Sequence, residues 1–458
     1  MSFFTPPHIP KPFEHQTYTT QRILDDRFIL NASDAGTGKT RGTLDALDVF
    51  CRETGNAALV LAPKSILQAA WQEDAKKFTP ALQTSIAYAH NRKKAFETPA
   101  DLYITNHDAS KWLAKHLELL QAAKVKAVVI DESSAFKHHT SQRSKAMRYV
   151  IEQLDPEIVV LMSATPNMNN PLDIWHQAYL LDQGERLGKS FYRFRQSVCD
   201  IKPNGFANDW VPKEDAHEAI ADILSDITVR FKLEDCAAIP QHSQIKIDLE
   251  LDALTRKAYD TLREQAKLEL EGGTVTAVNA AVLHNKLLQT SSGAVYDQNH
   301  NTATLSTARA EYVTQLVQER DQCVVAFQWK HQLLELIESF QSAGVSYRII
   351  DGSVSNENRS KAVRDFNNHE AKVILAHPRS AGHGLTLTAG TTTIWPSPIS
   401  DAELFYQFNR RIYRTGQTKK TQTIVITGKD CIDQATYDRC VGRIDTQMTT
   451  LELLQHNL

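Results

Sequence analysis

FILNASDAGTGKTRGTLDALDVF (residues 28–50) joins a short apolar run to a glycine-rich turn and then to a helical pattern. Within the turn, DAGTGKT (34–40), Gly36 and Gly38 let backbone N–H groups come close to phosphate oxygens, and the start of the following helix adds the positive end of its dipole. In a loop of this kind Gly36, Thr37 and Gly38 surround the phosphates, Lys39 bridges the outer ones, and the Thr40 hydroxyl is a ligand for Mg2+. Ser33 stands where the common pattern starts with glycine or alanine, so the match rests on the GxGKT core. A strand, a phosphate turn and a helix in this order open an α/β domain.

Outward from this point the same alternation recurs. β-Branched apolar runs at 57–63, 101–106, 127–132 and 158–165 are each followed by a polar turn and a helical stretch, the pattern of parallel strands buried on both faces. A second series occupies 323–328, 346–352, 372–378, 391–397 and 422–428. Two separated series predict two α/β domains in tandem. Between them, residues 167–310 are mostly helical in pattern, interrupted by Pro203, Gly205, Pro212, Pro240, Gly272 and Gly273, and the boundary is expected near Pro240.

Composition narrows the function classes. With 458 residues, 42% hydrophobic and 23% charged, the chain has the make-up of an ordinary globular protein of two domains, not of a disordered tail, a collagen or a coiled coil. No apolar run approaches the roughly 18 residues that cross a bilayer. The N-terminal MSFFTPPHIPKPF lacks the basic head and apolar stretch of a signal peptide, so a cytoplasmic location without membrane contact is expected. Six scattered cysteines without a CxxC spacing read as reduced thiols. A net charge of −3 excludes wholesale electrostatic binding to nucleic acid and leaves that task to local basic stripes.

Two further segments carry chemistry. VVIDESSAF (128–136) is an apolar strand ending in adjacent carboxylates: Asp131 is placed to hold Mg2+, and Glu132 to polarise an attacking water. Alone, such a pair is either catalytic or a solvated loop; its place about 90 residues after a phosphate loop favours the first. YQFNRRIYRTGQ (406–417) sets Arg411 and Arg414 three apart, one helical turn, so that both guanidinium groups would project from one face and stabilise charge on a γ-phosphate. The alternative is an exposed basic helix.

Taken together these segments resemble the Swi/Snf family of superfamily-two helicase-like ATPases, and within it the short members of phages and bacteria. The resemblance runs in family order through nearly the whole chain: Gln16, LVLAPKSILQAAWQEDAKKF (59–78), LYITNHDAS (102–110), the acidic box, LMSATPNMNNPLDIW (161–175), QAYLLDQGERLGKSFYRFR (177–195), DGSVSNENRSKAVRDFN (351–367), AHPRSAGHGLTLTAG (376–390) and the paired arginines. It implies two tandem RecA-like parallel-sheet lobes with helical insertions, residues 1–240 (insertion about 167–240) and 241–458 (helical lead-in about 241–310). It implies ATP and Mg2+ as cofactors, with Gln16 reading adenine and Gly384 close to the nucleotide. It implies DNA contacts by Pro63, Lys64, Asn106, Ser380 and His383, and by the insertion's Arg186, Lys189 and Arg193. Two positions depart from the family pattern: Ser134 stands where the acidic box usually ends in His or Asp, and Thr386 where Asn is usual.

In the segment 186–195 cations alternate with aromatics, either as a surface that tracks a phosphate backbone or as an amphipathic helix with its rings in the core. His383, between two glycines, is either a surface histidine or a phosphate contact. The resulting expectation is a monomeric, DNA-dependent ATPase that opens and closes a cleft to move along double-stranded DNA. The alternatives are a remodeller of forks and junctions, an RNA helicase, or a nucleotide-gated DNA clamp of low turnover.

Overall fold

The structure of the protein, a computed structural model, describes residues 9–166, 170–204, 207–271, 277–296, 302–381 and 385–455. The chain divides into two compact units, residues 1–238 with 445–458 and residues 239–444.

In the first unit the strands are β1 (Phe28–Asn31), β2 (Ala57–Ala62), β3 (Thr84–Ala87), β4 (Leu102–Asn106), β5 (Val125–Asp131), β6 (Ile158–Met162), the hairpin β7 (Cys199–Asn204) and β8 (Ala207–Pro212), and the short β9 (Thr228–Val229). Seven of them form one sheet in the order β3-β4-β2-β5-β6-β1-β9, with every pairing parallel. Both faces are covered, which is why the runs read as continuously apolar. Leu59, Leu61, Val128 and Ile130 join one core, while Ala58, Val60, Ala127 and Val129 join the other. The second core is closed by Ile23 of helix α1 (Glu14–Asp26) and by Leu44, Leu47 and Phe50 of helix α2 (Lys39–Thr54). The first is closed by helices Gln142–Leu154 and Ile174–Asp182 through Met147, Val150, Trp175 and Leu180.

The second unit holds β10 (His242–Leu249), the antiparallel hairpin β11 (Ala294–Tyr296) and β12 (Thr302–Thr304), β13 (Cys323–Ala326), β14 (Tyr347–Ile350), β15 (Val373–Ala376), β16 (Thr392–Trp395) and β17 (Thr421–Gly428). Its sheet runs β10-β17-β16-β13-β15-β14, again all parallel. The two parallel-sheet α/β lobes expected from the sequence are therefore present. The stretch 167–310, expected to be mostly helical, also contains β7 to β12. These strands have weak signals: β10 is an edge strand with most of its side chains half-buried or exposed, and β12 is exposed along its length. Among the described residues no helix is long and apolar enough to cross a membrane, and all six cysteines are free thiols.

Two histidines are locked into the interior. His176 Nδ1 lies 2.6 Å from the Phe136 carbonyl; His331 lies 2.8 Å from the hydroxyls of both Ser292 and Tyr296. Burial pushes each imidazole down from its ordinary value to about 4. The unfolded chain takes up these protons first, so the stability they support is complete above about pH 6.5 and lost as the pH falls toward 4, on the order of 3 kcal/mol per ring at the acid end. Urea midpoints measured from pH 7 to pH 4 should fall, and His331→Gln should fall less steeply than the wild type. Parallel curves for the two proteins would exclude His331 as a source of the acid lability.

Candidate functional site

Because the first sheet is parallel, all its strands end along one edge, the side on which open α/β sheets receive ligands. Read in sheet order, that edge presents Asn106 at the end of β4, Pro63 and Lys64 after β2, Asp131 and Glu132 at the end of β5, Ser163 to Thr165 after β6, the 33–40 loop after β1, and Arg230 after β9. The phosphate loop and the acidic pair are thus brought to one edge with the Ser-Ala-Thr stretch between them.

The loop depends on two left-handed glycines, Gly36 (φ 91°) and Gly38 (φ 78°). Gly38 caps α2, and a side chain there would overlap the Gln16 amide. At Gly42 a Cβ would come within 2.9 Å of the Gln16 carbonyl. The absence of both side chains lets α1 lie against the loop. Gln16 Oε1 accepts from the Phe13 N–H (3.0 Å), its Nε2 donates to the Thr37 carbonyl (3.4 Å), and His15 Nε2 is 2.7 Å from the same carbonyl. Gln16 is thus turned onto the loop. Lys39 and Thr40 form the first turn of α2. Lys39 Nζ donates to the carbonyls of Ser33 (2.7 Å) and Asp34 (3.0 Å). Burial holds the Lys39 ammonium below its ordinary pKa, opposed by Glu132, Asp131 and Asp34.

Behind the loop lies an ion pair that the sequence did not disclose. Arg230 Nη1 donates to Asp34 Oδ1 at 2.6 Å, with the two side chains 1% and 2% exposed. The same nitrogen reaches the carbonyls of Ala32 (3.2 Å) and Phe231 (3.1 Å), and Asp34 Oδ2 accepts from the Leu233 N–H (3.1 Å).

The acidic pair is equally well supported. Trp71, fully buried on the π-helical turn Leu67–Gln72, donates its indole N–H to Asp131 Oδ2 (2.9 Å), and Glu132 N donates to Asp131 Oδ1 (3.0 Å). His107 Nε2 is 2.7 Å from the Asp131 carbonyl. Glu132 sits in left-handed backbone (φ 53°), a strained conformation of the kind that gathers at functional sites. One link from the acidic box toward the Ser-Ala-Thr stretch runs through Ser133: its hydroxyl donates to Gln177 Oε1 (2.7 Å), and Gln177 Nε2 donates to the Pro166 carbonyl (2.6 Å). Ser133 and Gln177 are both fully buried. Among the described residues no group of three His, Cys, Asp or Glu side chains could hold a metal. Asp131 and Thr40, the pair expected to hold Mg2+, stand at the end of β5 and in the first turn of α2.

In the second unit one expectation is corrected. Arg411 and Arg414 do not lie on a helical face, because the helix Ala402–Asn409 ends before them. Tertiary hydrogen bonds end it: Leu387 N donates to the Arg411 carbonyl (3.0 Å), and the buried Gln417 amide donates to the carbonyls of Thr388, Gly390 and Ile412. The two guanidinium groups still converge, both on the Leu385 carbonyl, at 3.5 Å from Arg411 and 3.0 Å from Arg414. Arg411 is buried and also donates to the Gln407 carbonyl, whereas Arg414 is half-buried. Ser380 accepts from Arg359 through its carbonyl (3.1 Å); His383 and Gly384 lie outside the described residues.

The basic candidates divide by partner. Lys64, Lys189 and Arg193 are exposed. Asn106 Oδ1 accepts from Arg92 (2.9 Å). Arg186 pairs with Asp226 and Asp182, which hold its guanidinium above its ordinary value. In the same segment Phe194 is core, Tyr192 is 61% exposed, and Arg195 stacks on Trp210 at 3.9 Å. A hollow of about 790 Å3 opens in the second unit beside the ends of β13, β15 and β16, lined among others by His284, Trp329, Arg379, Asp401, Arg439 and Arg443. Sequence reasoning had assigned no role to Arg379, Arg439 or Arg443.

Comparison with known proteins gives a consistent picture. Residues 27–310 match the SNF2-related domain and residues 308–416 the helicase conserved C-terminal domain. The chain is 28% identical to putative protein p41 of Acyrthosiphon pisum secondary endosymbiont phage 1, over 97% of this chain and 98% of that one. It is 22% identical to the chromodomain-helicase-DNA-binding protein 1-like of Danio rerio over 92% of this chain, and 23% identical to an uncharacterized ATP-dependent helicase of Mycoplasma pneumoniae over 88%. It spans only 41% and 38% of the length of those two proteins. A solved Sulfolobus solfataricus SWI2/SNF2 ATPase core in complex with dsDNA aligns over 98% of the chain, with 19% identity and a TM-score of 0.44.

The roles expected from the sequence have separable effects. Lys39→Ala should weaken ATP binding. Glu132→Gln should keep binding and lose hydrolysis roughly a thousandfold, since water positioning is worth several kcal/mol of barrier. Arg414→Ala should lower turnover much more than ATP affinity. Near wild-type turnover in Glu132→Gln would remove Glu132 from the role of base, and equal losses of affinity and turnover in Arg414→Ala would make that arginine a binding or structural group.

Proposed function

Because the chain belongs to the SNF2-related family of helicase-like ATPases, we propose that it is a motor that hydrolyses ATP to move along double-stranded DNA without separating the strands. The observation that carries this reading is the single edge of the first sheet. The phosphate loop and the Asp131–Glu132 pair share that edge with Lys64 and Asn106, so nucleotide chemistry and backbone contact are borne by the ends of neighbouring parallel strands. Lys39 holds the outer phosphates, Thr40 and Asp131 are the residues that would hold Mg2+, Glu132 orients water, and Arg414 offsets developing charge. Mg2+ held there would neutralise the phosphate oxygens. Ser133, through Gln177, ties the acidic box to the chain beside Thr165, so a change at the nucleotide has a buried path along the edge.

DNA is the partner that the surface chemistry favours. In the hollow of the second unit Arg379 and Arg439 make no hydrogen bond or ion pair among the described residues, and the lining includes a single carboxylate, Asp401, which caps the helix Ala402–Asn409. Open guanidinium groups beside the half-buried Trp329 suit a phosphodiester with an adjoining sugar or base. A monomer is the working form we propose.

A motor that tracks phosphates gains nothing from unpairing, which costs roughly 1.4 kcal/mol per step in stacking alone. ATP should therefore drive displacement of a third strand from a triplex, or migration of a branch whose pairs re-form behind it, far better than unwinding of a tailed duplex. Processive unwinding without triplex displacement contradicts the reading and favours a conventional helicase; junction migration without triplex displacement favours a remodeller of branched DNA.

Salt gives a second test. An overall acidic chain binds through few phosphate contacts, so log affinity against log salt should have a slope of about three to six phosphate neutralisations. Arg379→Ala with Arg439→Ala should reduce that slope by about one to two. An unchanged slope would place the DNA elsewhere than in the hollow.

A further inference from the structure

We propose that Arg230 is a positioning residue for the nucleotide: through its buried ion pair with Asp34 it sets the shape of the phosphate loop. The inference rests on the reading of residues 34–40 as the ATP loop.

The pair stands where the loop leaves the sheet. Beyond the last paired residues of β1 and β9 the two segments stay laced together: Asp34 N donates to the Phe231 carbonyl (3.0 Å), and Phe231 N to the Ser33 hydroxyl (3.1 Å). Arg230 closes this lacing with its bonds to Ala32, Phe231 and Asp34. Asp34 in turn is the hub of the loop. Its carbonyl accepts from the Thr37 hydroxyl (2.9 Å), the Thr37 N–H (3.4 Å) and Lys39 Nζ (3.0 Å). Fixing the Asp34 side chain therefore fixes the carbonyl around which the turn is built, and with it Lys39 and the N–H groups of the glycine segment.

Net stability is a weak reason to bury such a pair. Replacing a buried ion pair by apolar residues of similar volume is often neutral or stabilising, whereas removing one partner is costly because the other charge is left stranded. The fields of the two charges oppose each other at Lys39, where Asp34 raises and Arg230 lowers the proton affinity. What the pair supplies that apolar side chains do not is direction, through three acceptors for one guanidinium nitrogen and two donors to one carboxylate.

This separates positioning from stability. The double variant Asp34→Leu/Arg230→Met of the full chain removes both charges and should fold with a melting temperature close to that of the wild type. It should nevertheless bind a fluorescent ATP analogue on the order of tenfold to a hundredfold more weakly, and its KM for ATP should rise more than its kcat falls. Arg230→Lys, which keeps the charge and loses the fork, should show the same weakening and covers the case in which the double variant fails to fold. Wild-type nucleotide affinity in whichever of these variants folds would make the pair merely structural and overturn the proposal. Lys39→Ala serves as the control: undiminished analogue binding there would instead overturn the assignment of the loop.

Discussion

Seven strands that all run the same way leave their C-terminal ends on one edge, and this constraint organises the chemistry of the first unit. A parallel sheet buries both faces, so polar groups have no place along its strands and collect where the strands stop. The phosphate loop, the acidic pair, the Ser-Ala-Thr stretch and the candidate backbone contacts are neighbours for that reason, although up to about 130 residues separate them in the chain. Strand order sets the spacing: β6 lies between β1 and β5, which puts Ser163 to Thr165 between the loop and the acids.

At that edge, buried side chains fix the candidate groups. Trp71 orients Asp131, Ser133 and Gln177 link the acidic box to the chain after β6, and Arg230 orients Asp34. The second unit has the same economy. Arg309 and Asp433 form a buried pair that also engages Ser291, Ser397 and the Gly428 N–H, and Arg411 and Arg414 bond the carbonyl of Leu385. Such groups are expensive to bury, so their value lies in geometry more than in net stabilisation.

Legibility in the sequence followed the range of the interactions. The loop, the acidic pair and most central strands were readable because each is set by residues within one short segment: glycines where φ is positive, carboxylates at a strand end, unbroken β-branched runs. Arg230 was not, since its partner lies 196 positions away and the segment around it carries no local pattern. Trp71 and Gln177 were hidden in the same way, inside motifs recognised for other residues. The paired arginines show the converse failure. Their spacing is helical, but the bonds made by Gln417 and by the Arg411 backbone override local periodicity and end the helix at Asn409. Arg186 looked like one of several free cations until its two carboxylates, one of them 40 positions away, were in place.

The central claim is that nucleotide hydrolysis at this edge is coupled to duplex DNA. Steady-state ATP hydrolysis by the full chain, compared without nucleic acid and with saturating duplex DNA, single-stranded DNA or RNA, tests it most directly. The account predicts a low basal rate raised at least about tenfold by duplex, the scale of one modest change in activation barrier, and by duplex more than by either single strand or RNA. A rate indifferent to nucleic acid, or one stimulated by RNA alone, would contradict it.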